Sequence, residues 1–131
     1  MQEQWAQWEP LLGLTKKYNI ESITDNITSL EIIFISQAKD HSLIMIFQVS
    51  SGSYQITNEE YYFEWISKLS AISEEWIFYK INHSHYLKIL SEQSDTISDT
   101  RNFIHFSILL PKYRLDVMAP FEPVVKKYNL T

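Results

Sequence analysis

The sequence predicts an α+β fold, a single mainly antiparallel sheet of about five or six strands with two or three helices packed on one face. Three observations lead there. The stretch 42–72 runs from a β-branched and aromatic segment through Ser51-Gly52-Ser53 into a second short apolar run, then into an amphipathic segment. Further strand-like runs recur downstream, separated by turn residues, and one gap between them again has helical spacing. With 131 residues, 45% hydrophobic and 21% charged, the chain is sized for one domain, 1–131, with an ordinary globular core.

Taken in order, residues 2–8 read as a short helix with Trp5 and Trp8 on one face, broken before Pro10. The two indoles serve either as a lid over one edge of the core or as anchors for a partner. Residues 21–29 are polar and read as a loop. The strand 30–36 puts Ile32 and Phe34 on one face and Ile33 and Ile35 on the other. After a polar hairpin connection at 37–42, the strand 43–49 returns. Both strands are apolar on both faces, the pattern of strands that lie centrally in a sheet or face a second layer. Gly52 permits a tight turn, from which 54–56 pairs back on 43–49.

Thr57-x-x-Glu60 has the form of a capping box and opens a helix over 58–72. Tyr61, Tyr62, Trp65, Ile66, Leu69 and Ile72 fall on its inner face, with Glu60, Glu64 and Lys68 in water. Trp65 is therefore expected to be a buried core residue. A strand follows at 76–81. Residues 82–84 offer a turn and an N-cap for a short helix through about Ser91, with Tyr86, Leu87 and Leu90 inward. The polar segment 92–102 reads as a solvated loop. A strand at 103–110, a turn at Pro111-Lys112 and a return strand at 114–118 form a closing hairpin, ended by Pro120 and Pro123.

Composition removes several function classes. With no cysteine, disulfides, thiolate metal sites and cysteine nucleophiles are excluded. A net charge of −5 and a pI near 5.3 weigh against nucleic-acid binding and favour encounter with a basic partner. No apolar run approaches the roughly 20 residues of a membrane span, and the N-terminus lacks the pattern of a signal peptide, so a cytoplasmic location is expected.

His83, His85 and His105 are the one cluster with metal-ligand character, and Asp116 or Glu122 would complete a set of ligands. The other reading makes His83 and His85 turn and capping residues and puts His105 in a sheet. There is no Gly-x-Ser-x-Gly elbow and no phosphate-cradling glycine loop. Glu59 and Glu60 suit a helix N-terminus. Asp116, within the closing strand, is expected either exposed or paired with Arg114 or Lys112. Lys126-Lys127 reads as a solvated tail. No catalytic, cofactor or metal assignment follows, and the 15% aromatic content points to a binding protein.

Several strings stand together: Tyr54-Gln-Ile-Thr-Asn-Glu59, Trp76-x-Phe-Tyr-x-Ile-Asn-x-Ser84, Tyr86-Leu-x-x-Leu-Ser-Glu-Gln-Ser94, Ile104-His-Phe106 and Asp116-Val-Met-Ala-x-x-x-Pro123. Their order over residues 43–123 resembles small bacterial proteins of the kind found as immunity proteins in polymorphic toxin systems. The resemblance implies a cytoplasmic inhibitor that binds a cognate toxin domain, with charge complementarity speeding association. The chain is then a monomer or homodimer and not an enzyme. Trp5, Trp8, Asp95 and Asp99 are the residues expected to meet the partner. The alternative is a metal- or small-ligand-binding protein that uses His83, His85 and His105.

Overall fold

The structure is a computed structural model that describes residues 3–14, 17–48, 53–61, 69, 72–73, 75–94 and 103–130. Among them are nine strands: β1 (Gln4–Gln7), β2 (Tyr18–Asp25), β3 (Ser29–Ser36), β4 (His41–Gln48), β5 (Ser53–Asn58), β6 (Phe78–Asn82), β7 (Ile104–Leu109), β8 (Tyr113–Ala119) and β9 (Val124–Asn129). Also among the described residues are a 3-10 turn, Glu59–Tyr61, after β5, and one α-helix, α1 (His85–Ser94), after β6. The strands form two antiparallel sheets, one of five in the order β1-β6-β7-β8-β5 and one of four in the order β2-β3-β4-β9.

The expected single sheet with two or three helices is therefore wrong: the protein is mostly β, built on two sheets. The reason lies in the faces. In β3 and β4 every second residue is fully buried, namely Leu30, Ile32, Phe34, Leu43, Met45 and Phe47. These meet Phe78, Phe106, Ile108, Leu115, Val117 and Ala119 from the five-stranded sheet in one core. Two inner faces that bury each other make a sandwich, with alternate residues of each strand turned away from the shared core.

The five-stranded sheet is buried on its other face too. Tyr79, His105, Ser107, Asp116 and Met118 are all at most 5% exposed there, under α1 and the segment around Trp76. That accounts for the nearly continuous burial of β7 and β8, which strict alternation does not produce.

Three strands arise where the sequence reading expected something else. The spacing of three between Trp5 and Trp8 matches a helix face, but in extended chain it sends the two rings to opposite sides. Trp5 packs on Tyr79 and Ile81 on the outer side, and Trp8 enters the main core. Residues 21–29, read as a loop, supply most of β2 and its turn into β3. A bulge between Ile20 and Ser22 breaks the two-residue period, so the inward positions fall at Tyr18, Ile20 and Ile23. Lys126 and Lys127 belong to β9 rather than a tail, and a lysine-rich strand suits a sheet edge.

The return of 54–56 onto 43–49 also fails. β5 pairs with β8, Ile56 opposite Leu115, so the chain changes sheets between β4 and β5. Of the helix expected over 58–72, only the turn Glu59–Tyr61 and a few later residues are described, and Trp65 lies outside the described residues. Leu69 and Ile72, both expected inward, do pack on the Trp5, Tyr79 and Ile81 cluster. The strands at 30–36, 103–110 and 114–118, the turn at Pro111-Lys112 and the helix after Ser84 form within a few residues of their expected bounds.

Candidate functional site

Of the four residues expected to meet a partner, Asp95 and Asp99 lie outside the described residues. Trp5 and Trp8 are 7% and 6% exposed, so both rings sit within the fold. Trp8 lies 4.8 Å from the Phe106 ring and donates its Nε1–H to Glu122 Oε1 at 3.1 Å. Lys80 Nζ donates to the same oxygen at 2.9 Å. These two donors, the lysine foremost, hold the Glu122 carboxyl below its ordinary range. A carboxyl depressed in the folded state stabilises the fold above its unfolded value near pH 4.3, and the gain is lost as pH falls through the folded value. The side chain is 57% exposed, so the effect is small. Glu122→Gln is expected to lower the melting temperature slightly at neutral pH, and the difference from the parent should vanish in acid.

The histidines do not converge. His83 sits in the turn after β6 with φ of 56°, and His85 opens α1, both exposed. His105 is on β7 and 1% exposed. Its Nε2 lies 2.7 Å from Asp116 Oδ1 and its Nδ1 2.6 Å from Ser84 Oγ. Both ring nitrogens are engaged, and no group of three or more metal-type side chains occurs among the described residues.

The Ser84–His105–Asp116 chain has the order of groups used in nucleophilic catalysis. In the tautomer whose Nε2–H donates to the carboxylate, Nδ1 accepts from the Ser84 hydroxyl. The serine also has a structural role. Leu87 N–H donates to Ser84 Oγ at 3.0 Å, so the oxygen is the N-cap of α1. His85 N–H donates to Glu3 Oε2 at 2.8 Å, so a second backbone donor of the first turn of α1 is also taken. Arg114 Nε meets Asp116 Oδ2 at 2.8 Å, and the same guanidinium lies 4.7 Å from the Trp5 ring. This is a buried clip that ties the start of α1, through β7 and β8, to β1. A cavity of about 370 Å³ lies beside it, lined by His83, Ser84, His85 and Lys88. Asp116 pairs with Arg114, as one of the two sequence alternatives had it.

The second feature is the outer face of the four-stranded sheet. In β3 and β4 the residues turned from the core include Glu31, Ile33, Ile35, Ser42, Ile44 and Ile46, all half-buried. Ile33 stands opposite Ile44, which stands opposite Lys126; Ile46 stands opposite Val124, and Ser42 opposite Tyr128. Val124 is 57% and Tyr128 47% exposed. The face is an isoleucine tract with an aromatic at one end and one charge of each sign, Glu31 and Lys126.

No family model, curated protein or solved structure matches the chain.

The site features were only half legible in the sequence. Ser84 as an N-cap and Asp116 with Arg114 are readable there, whereas the bond between His105 and Asp116 has no local sequence signal. It follows from the Pro111-Lys112 turn, which sets Ser107 opposite Asp116 and His105 opposite Met118. His105 and Asp116 are then diagonal neighbours on one face. The apolar outer face is visible as strands apolar on both sides, a pattern that fits equally strands lying centrally in a sheet or facing a second layer.

Proposed function

We propose that this chain is a cytoplasmic protein-binding domain, an immunity protein that binds and neutralises a cognate bacterial toxin. It holds that partner on the outer face of the four-stranded sheet. The observation that carries the reading is the tract of Ile33, Ile35, Ile44 and Ile46, continued by Val124 and Tyr128 on the face away from the core. From strand spacing and rise, the tract covers on the order of 300 Å², comparable with the largest apolar patch of an ordinary monomer, which is often functional. Tyrosine and aliphatic anchors inside a polar rim are what a protein interface uses. The net charge of −5 favours encounter with a basic partner, and no catalytic step is part of this reading.

The test begins with the gene beside this one. If it encodes a secreted protein with a variable C-terminal domain, co-expression of that domain with this chain should restore growth, and the two should co-purify. Ile44→Glu should leave the circular dichroism spectrum unchanged and weaken the complex by about 30-fold or more, the effect of losing a hot spot. Absence of protection removes the immunity role. Protection and affinity untouched by both Ile33→Glu and Ile44→Glu remove this surface. Self-association at tens of micromolar, abolished by Ile44→Glu, assigns the face to a second copy of the chain instead.

A further inference from the structure

We infer that the open edge of the sandwich, between β2 and β5, is a binding site for a small amphiphilic cation: an apolar or aromatic body carrying an amine. The inference stands apart from the protein-binding face, which lies on the other side of the four-stranded sheet.

β2 and β5 each end a sheet, residues of both line one cleft, and no described strand is paired to either free edge. Ile56 stands opposite Leu115 in the β5–β8 ladder, and Leu115 is fully buried in the core. Ile56 is therefore on the core side of its sheet, as is Tyr113 two residues from Leu115. Yet Ile56 is 48% and Tyr113 42% exposed. The core is not closed here. A cleft of about 350 Å³ enters it, walled by Ile20, Ile23, Ile56, Leu110, Tyr113 and Leu115. Its remaining lining residues are Glu21 and Ser22.

The bulge in β2 lies at the cleft. Ile20 pairs with Phe34 and Ser22 with Ile33, so Glu21 is the extra residue and has no cross-strand partner. The bulge sets Glu21 beside Ile20 and Ser22 among the residues that line the cleft. At one end Tyr54 O–H donates to Asp25 Oδ2 at 2.9 Å and bridges the two edge strands. Asp25 Oδ1 meanwhile accepts Ile27 N–H at 2.8 Å, so that acid is committed. Glu21 is exposed and has no ion-pair partner among the described residues. An apolar cleft with a few placed polar groups is the usual form of a small-ligand site, and this volume is near the lower end of that class. A size of that order suits a compact ligand, and the single uncommitted carboxylate selects a positive head group.

The experiment is a titration of isotope-labelled protein with phenylbutylamine, phenylbutanol and phenylbutyrate, read on the isoleucine methyl signals. The amine should shift Ile20, Ile23 and Ile56 and leave Ile33 and Ile44 in place. It should bind about fivefold more tightly than the alcohol, the factor for one partly screened charge, and the carboxylate should bind most weakly. Glu21→Gln should bring the amine to the level of the alcohol. Ile56→Trp, which fills the cleft from its exposed side, should abolish binding of all three. The inference is overturned if no probe at millimolar concentration moves the cleft methyls, or if amine and carboxylate bind alike. It also fails if Ile56→Trp, still folded, binds as the parent does. Should Ile56→Trp not fold, the Glu21→Gln arm alone decides.

Discussion

Replacing Phe106 by alanine is expected to destabilise the fold by about 3–5 kcal/mol, the range for a large aromatic truncated in a closed core. Its ring is fully buried, 4.8 Å from Trp8 and 5.1 Å from Phe47. Those contacts join the N-terminal segment, the five-stranded sheet and the facing four-stranded sheet at one point. The hole left by alanine has walls on three elements, so no single side chain can move to close it. A loss of that size is a large share of the roughly 5–15 kcal/mol that holds a typical domain together. Urea unfolding is the measurement: the midpoint should fall steeply, and Phe106→Leu should recover most of the loss. A midpoint equal to the parent's would mean that the two sheets do not share this core.

Asp116→Ala is expected to cost a similar amount, about 3–5 kcal/mol, for a different reason. Removing one member of a buried charged pair leaves the other without its partner in a poorly solvated place. Here the Nε2–H of His105 and the Arg114 guanidinium lose their acceptor together. Ser84→Ala should cost about 1 kcal/mol for the lost helix cap, with a further penalty because Nδ1 of His105 loses its donor. Because the three side chains act as one chain, the double variant Ser84→Ala with Asp116→Ala should cost less than the sum of the singles. Strict additivity in chemical denaturation would show that the bonds between them carry no weight.

How far the sequence announces this architecture depends on what each segment buries. β3 and β4 were clear because their hydrophobic runs are long and their turn is polar. α1 was clear because Ser84 caps it and Tyr86, Leu87 and Leu90 keep helical spacing. β2 was hidden because the bulge at Glu21 shifts its inward residues out of alternation. β1 was hidden because two tryptophans three apart satisfy a helix as well as two faces of an extended segment. β9 was hidden because an edge strand can be as polar as a tail. Pairing was the larger loss: β5 joins β8, many residues later, and no local signal says so. The sandwich follows from that long-range choice. The clip was within reach of hairpin register. The cleft was not, because it depends on two edges from different sheets failing to meet.

The claim that the isoleucine face is the partner surface is tested most directly by methyl spectroscopy of the complex. With isoleucine methyls labelled in this chain and the cognate domain unlabelled, the account predicts large shifts or intermolecular contacts at Ile33, Ile35, Ile44 and Ile46. The core signals of Ile32 and Ile108 should hardly move. A complex that leaves those four methyls in place and perturbs the β1 side instead would contradict it.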